Sequence, residues 1–169
     1  MQDCLPTETY PDPSRGPPVT PRRHAAHRLA LAVLLLVLLW AAPLGSASAE
    51  ATASPGDARV YIGWPNDGQV LPAGRPIHLW FGLRNMGVAP RGTRFPNTGH
   101  HHLLIDTDLP PVDREIPSDR NHLHFGMGET ETSIELPPGR HTLQLLMGDA
   151  THLPHQPPVY SKKITVTVR

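Results

Sequence analysis

The chain has 169 residues, of which 38% are apolar and only 5% aromatic, so it has room for one domain with a small aliphatic core. Its 21 prolines and 14 glycines are too many helix breakers for a helical bundle. Fifteen basic residues balance 15 acidic residues, which removes the electrostatic argument for a nucleic-acid partner and leaves the 11 histidines as the unusual feature.

Residues 1–28 do not have the composition of a folded domain. The first 20 residues are rich in proline and polar side chains, which predicts a disordered extension. Arg22, Arg23 and Arg28 then supply the positive charges that precede the apolar part of a signal peptide. We therefore interpret residues 1–28 as a disordered extension followed by a basic n-region.

Residues 29–49 have the remaining features of a signal peptide. The apolar run from Leu29 to Trp40 is about a dozen residues long, whereas a helix that spans a bilayer needs about 20. Ala47-Ser48-Ala49 provides the small residues that a signal peptidase accepts, so cleavage is expected before Glu50. The protein is thus predicted to be periplasmic or secreted, and only an uncleaved signal segment would hold it at a membrane. Cleavage removes Cys4, the single cysteine, so the mature chain folds without a disulfide.

The rest of the chain is predicted to be a linker, residues 50–57, followed by one β domain, residues 58–169. Short β-branched or aliphatic runs alternate there with proline and glycine, and no window shows sustained helical periodicity. Seven strands at this spacing favour an immunoglobulin-like antiparallel β-sandwich. The predicted strands are residues 58–64, 76–83, 101–106, 121–125, 132–136, 141–147 and 164–168.

One histidine is predicted to stabilise a corner of this sandwich. The segment Leu136-Pro137-Pro138-Gly139-Arg140-His141 resembles the turn into a late strand of many sandwich domains, where a tyrosine often binds the backbone. His141 occupies the position of that tyrosine. A hydrogen bond from its ring to a backbone carbonyl would serve the same purpose.

Two His-x-His motifs point to a metal site. Side chains two residues apart on a strand lie on one face, so each motif presents two imidazoles to a common ligand. Leu103 and Ile105 form the natural core pair of the first strand, which turns His100 and His102 to the outer face. Leu123 and Phe125 do the same for His122 and His124. If the two strands are neighbours, four imidazoles meet on one surface.

Further side chains are candidates to complete such a site. His152 and His155 lie in a loop before the last strand, and His101 lies within the first motif. Asp106 and His141 are candidates to orient a ligating ring through a hydrogen bond. The predicted metal ligands are therefore His100, His102, His122, His124, His101, His152 and His155.

The chemistry of these side chains suggests a class of metal but leaves the function open. Imidazole-rich sites without sulfur suit copper(II), zinc or nickel, and we expect copper or zinc in a binding or handling role. The alternative is an envelope interaction or adhesion module with structural histidines, whose protein partner the sequence does not identify. A third interpretation is an enzyme that resembles copper/zinc superoxide dismutases, although their disulfide is impossible here. The chain has no G-x-S-x-G motif, and an enzyme is the less favoured class.

Five motifs in the predicted β domain occur together: NTGHHHLLID (97–106), NHLHFG (121–126), LPPG (136–139), HTLQL (141–145) and HLPHQPPV (152–159). With these motifs the chain resembles a known family, the DUF4399 family of exported bacterial single-domain proteins. The resemblance spans residues 58–168 and implies export to the periplasm or cell exterior and a compact β domain. It implies no activity, because the family label records none.

Overall fold

The computed structural model describes residues 51–169, and in this part of the chain no helix is long and apolar enough to cross a membrane. The predicted extension, signal segment and cleavage site lie outside the described residues. Residues 51–169 contain nine strands: β1 (Arg59–Trp64), β2 (Gln69–Leu71), β3 (Ile77–Arg84), β4 (Gly87–Val88), β5 (Thr98–Ile105), β6 (His122–His124), β7 (Glu131–Ile134), β8 (Gly139–Gly148) and β9 (Ile164–Val168).

The strands form two sheets with the topology of an immunoglobulin-like sandwich. One sheet has the order β1-β3-β7, and the other has the order β2-β9-β8-β5-β4, with β6 also paired to β5. The orders β1-β3-β7 and β9-β8-β5 correspond to strands A-B-E and G-F-C of that fold. Most pairs are antiparallel, and the short strands β2 and β4 pair in parallel with β9 and β5. The predicted fold class is confirmed for the described residues.

The main core lies between the two sheets and follows the period-two pattern of the sequence. On β3, Ile77, Leu79 and Phe81 are buried, whereas His78 and Trp80 are exposed on the other face. The facing sheet contributes alternate residues of its central strands, namely Leu103, Ile105, Leu143, Leu145, Met147, Ile164, Val166 and Val168. The inward faces that the sequence predicts for β3 and β5 are therefore those found in the structure.

Strand β5 is unusual because it is buried on both faces. Leu103 and Ile105 enter the main core, and Leu104 enters a second, smaller cluster with Ile116 and Leu146. Ile116 belongs to the loop between β5 and β6, which folds back over the outer face of the large sheet. This cover decides the environment of every side chain on the outer face of β5.

The number of strands and the nature of the linker differ from the sequence prediction. The strands β2 and β4 are three and two residues long, and they exist only through pairing with distant strands, which local sequence patterns do not report. The predicted linker is also bound to the domain. Ser54 donates its backbone N–H to the carbonyl of Gln156, and Gln156 donates to the carbonyl of Thr52.

The predicted corner role of His141 agrees with the structure. Its Nε2 lies 2.8 Å from the carbonyl oxygen of Pro137, and its Nδ1 lies 2.7 Å from Oδ2 of Asp106. Asp106 also accepts the backbone N–H of Thr142 through Oδ1 at 2.7 Å. The burial of His141 lowers its pKa, but the hydrogen bonds to Asp106 and Pro137 and the charge of Asp106 outweigh this effect and raise it overall.

Candidate metal centre

The pairing of β5 with β6 brings the two His-x-His motifs together on one face. The strands are antiparallel, with His102 opposite His124 and Leu103 opposite Leu123. Residues directly opposite each other in a sheet point to the same side, so the two histidines lie side by side while both leucines face the core. The predicted faces of the two strands are those found in the structure.

Three imidazoles converge at this point. His100, His102 and His124 each offer a ring nitrogen, and these atoms lie within 4.8 Å of one another. The ring centroids of His100 and His102 are 4.9 Å apart, and each lies 5.0 Å from the centroid of His124. Such an arrangement of nitrogen donors suits a single transition-metal ion.

A fourth imidazole, that of His152, reaches the cluster from the loop after β8. Its Nε2 lies 3.1 Å from Nε2 of His124. Its ring centroid is 4.7 Å from that of His124, 5.2 Å from that of His100 and 6.1 Å from that of His102. We call these four residues, His100, His102, His124 and His152, the histidine cluster.

The loop that carries His152 is organised by a buried carboxylate. Oδ1 of Asp149 accepts hydrogen bonds from the backbone N–H and hydroxyl of Thr151 and from the N–H of Leu153. Oδ2 accepts the N–H and hydroxyl of Thr52. Although burial raises the pKa of Asp149, these hydrogen bonds lower it overall, so the carboxylate is ionised at neutral pH. Asp149 therefore holds the His152 loop to the first residues of the domain.

Glycines make the space that the rings occupy. Gly148 lies opposite His100 on β8, and a Cβ at this position would approach Cε1 of His102 to 2.6 Å. A Cβ at Gly126 would overlap the ring of His124. Any larger residue at these two positions would displace a ring of the cluster.

The two β5 histidines of the cluster, His100 and His102, are fully buried, which corrects the expectation of a surface cluster. His100 and His102 are 0% and 1% exposed because the Ile116 loop and the His152 loop cover the outer face of the sheet. His124 and His152 are half-buried. Sequence alternation identifies the face of a strand, but it does not report whether a distant loop covers that face.

Buried ring nitrogens in the cluster lack hydrogen-bond partners among the described residues. Both nitrogens of His100 and Nδ1 of His102 have none. A buried polar atom without a partner costs about 1–3 kcal/mol, and such atoms are rare in folded proteins. Three of them on adjacent rings are therefore an arrangement that a bound ligand would stabilise.

Three rings of the cluster, those of His100, His102 and His124, are uncharged at neutral pH. Burial, together with the charges of neighbouring histidines, lowers the pKa of His100 to about 4 and that of His102 to about 2. Burial and the charges of His152 and Arg91 also lower the pKa of His124. Because only neutral imidazole has a free lone pair, these shifts favour the form that binds metal.

The cluster opens into a pocket of about 400 Å³. His102, His124 and His152 form one side of this pocket. The remaining lining side chains come from loops. The sequence did not predict them as site residues, because they belong to no local motif. They are Arg91, Glu115, Ile116, Pro117 and Ser118.

Three predicted ligands lie elsewhere. His122 is opposite Leu104, one step further along the sheet, and its Nδ1 lies 2.9 Å from Oδ1 of Asp119. His101 points into the core, where its ring packs on Phe81 at 5.3 Å. His155 is also buried, with Nδ1 3.3 Å from the carbonyl oxygen of Thr52.

The two residues predicted to orient a ligand are also separate from the cluster. Asp106 and His141 bind each other at the corner, and within residues 51–169 neither forms a hydrogen bond with a clustered histidine. The structure thus brings together His100, His102, His124 and His152, and the other predicted site residues lie outside the cluster. Nε2 of His101 and Nε2 of His155 are buried there and also lack a hydrogen-bond partner among the described residues.

A family model described as a domain of unknown function, DUF4399, matches residues 79–169, which is more than half of the chain. The chain belongs to the DUF4399 family. The DUF4399 match runs from β3 to β9 and includes the whole histidine cluster. No curated protein and no solved structure matches the chain.

Proposed function

We propose that this protein is exported and binds a transition metal, copper or zinc, through His100, His102, His124 and His152. The observation that carries the proposal is the set of buried ring nitrogens without partners on His100 and His102, next to two further imidazoles. A metal ion would bind one nitrogen of each ring, so it would satisfy one of the two unpartnered nitrogens of His100, whereas a purely structural cluster would leave both of them uncompensated.

The spacing of the nitrogens is compatible with one ion. Zinc–nitrogen bonds are about 2.0 Å long, which puts tetrahedral ligand atoms about 3.3 Å apart. The ligand atoms of His100, His102 and His124 lie within 4.8 Å of one another. His152 is outside this group of three, but its Nε2 lies 3.1 Å from Nε2 of His124. Small side-chain rotations would therefore close the site around an ion.

The choice between copper and zinc rests on ligand chemistry. Imidazole binds both copper(II) and zinc(II), so the ligand set is compatible with either metal. The described residues contain no cysteine, and they therefore offer no thiolate, the ligand that would favour copper(I). The pocket beside the cluster leaves one side of the site accessible, which favours a role in binding or handling metal rather than a closed structural site.

The first test is metal binding by residues 50–169, which contain both sheets and the core between them. The protein is stripped with a chelator, and copper(II) or zinc(II) is titrated while the melting temperature is followed. An ion at a hundredfold excess over its dissociation constant stabilises the fold by about 2.7 kcal/mol. No shift with either ion would overturn the proposal and favour the envelope interaction module with structural histidines.

Matched variants locate the site. His124→Ala and His152→Ala alter half-buried rings of the cluster and are expected to weaken metal binding strongly. His122→Ala lies on the same face of β6 as His124 but outside the cluster, and it is expected to leave metal binding unchanged. Equal losses in all three variants would contradict the assignment. N-terminal sequencing of the exported protein tests the proposed cleavage before Glu50.

A further inference from the structure

The mouth of the pocket contains an arginine that is held between two segments of the histidine cluster. The backbone N–H of Arg91 donates to the carbonyl of Gly126, two residues after His124, at 2.8 Å. The next N–H, that of Gly92, donates to the carbonyl of Ala150 in the His152 loop at 2.9 Å. These two bonds fix the base of the Arg91 side chain beside the cluster.

The guanidinium of Arg91 is free to bind a ligand. Within residues 51–169 it forms no ion pair and no side-chain hydrogen bond. It lines the same pocket as His102, His124 and His152. An arginine presents several N–H donors in a plane, a geometry that matches carboxylate and phosphate oxygens.

The positive charge of the site with a metal ion bound would also favour binding of an anion. Four neutral imidazoles do not neutralise a divalent ion, so a bound dication would keep its full charge. Within the pocket lining, the dication and Arg91 together outweigh the carboxylate of Glu115 by two charges. The charges of Asp149 and Glu129, which act on His100 and His124 from outside the lining, reduce this excess. The cavity of about 400 Å³ is large enough for a small oxyanion beside the ion.

We propose that the metal site takes a small oxyanion, a carboxylate or phosphate, as an additional ligand, and that Arg91 binds this oxyanion at the pocket mouth. The inference rests on the proposed function, because the oxyanion contacts the metal ion. It assigns Arg91 to ligand recognition rather than to metal binding, so the two roles are separable by experiment.

The experiment uses residues 50–169 loaded with copper(II). Azide is titrated as a chromophoric probe through its charge-transfer absorption, and inorganic phosphate and acetate are tested as competitors. Arg91→Gln is expected to weaken phosphate binding at least about tenfold, the effect of one hydrogen bond to a charged group, without weakening copper binding, because the loss of a positive charge beside His124 favours a bound dication. Arg91→Lys keeps the charge and is expected to recover part of the loss.

The control is Arg94→Gln, which removes an exposed arginine of the same loop that does not line the pocket. It is expected to bind phosphate as the unaltered protein does. Copper binding with equal phosphate affinity in Arg91→Gln and the unaltered protein would overturn this inference alone. Equal phosphate affinity of apoprotein and copper-loaded protein would also overturn it. Failure to bind copper or zinc at all would overturn the proposed function, and the inference with it.

Discussion

Replacement of His100 by leucine separates two effects of this residue: the stability that its unpartnered ring nitrogens cost the metal-free protein, and the stability that it contributes when metal is bound. His100 is 0% exposed, and neither ring nitrogen has a partner among the described residues. A neutral imidazole has one donor and one acceptor, and each unsatisfied atom costs about 1–3 kcal/mol. Leucine is close to histidine in volume and has no polar side-chain atom. The different shape of its side chain is expected to lower the free energy of unfolding by less than about 1.5 kcal/mol.

The metal-free His100→Leu variant is therefore expected to be more stable than the unaltered protein by about 1–2 kcal/mol. Its melting temperature would rise by about 3–6 °C for a domain of this size. With metal added, the unaltered protein is expected to be the more stable of the two. At a hundredfold excess of metal over its dissociation constant it gains about 2.7 kcal/mol, and the variant, which lacks one of the four proposed ligands, loses most of this gain.

The assay is denaturant unfolding at neutral pH, in chelator and then with zinc(II) or copper(II). His78→Leu is the control, since His78 is exposed on β3 and its loss is expected to change stability by less than about 0.5 kcal/mol. The reasoning is refuted if metal-free His100→Leu is less stable than the unaltered protein, because the ring would then be making favourable contacts of its own.

Three further predictions concern pH and the supports of the site. The fold lowers the pKa values of His100 and His102 to about 4 and about 2, so protonation of these rings favours the unfolded chain. The apoprotein is therefore expected to lose no stability through them above pH 6.5 and to lose stability as the pH falls from 6.5 towards these values, which acid unfolding curves check. Asp149→Asn places an amide against the N–H of the N-terminal segment, and we expect a loss of about 1–3 kcal/mol together with weaker metal binding as the His152 loop loosens, measured by unfolding and by copper titration. Asp106→Ala removes the partner of the corner histidine, so thermal unfolding should show a lower melting temperature while metal affinity stays unchanged.

Much of the fold could be predicted because its signals are local. The alternation of Ile77, Leu79 and Phe81 with His78 and Trp80 predicts one buried face of β3, and the structure confirms it. Proline and glycine between such runs predict short strands joined by turns. The strands that were missed, β2 and β4, have no such pattern and are defined by their distant partners.

The sequence by itself determined which faces of β5 and β6 carry histidines, because strand side chains alternate with a period of two. Only the tertiary structure decided which of them meet. The antiparallel register puts His102 opposite His124 and carries His122 away towards Asp119, and a one-residue change in register would have placed different side chains opposite each other. The arrival of His152 and the burial of His100 depend on loops far along the chain, whose positions follow from packing and hydrogen bonds that no local pattern encodes.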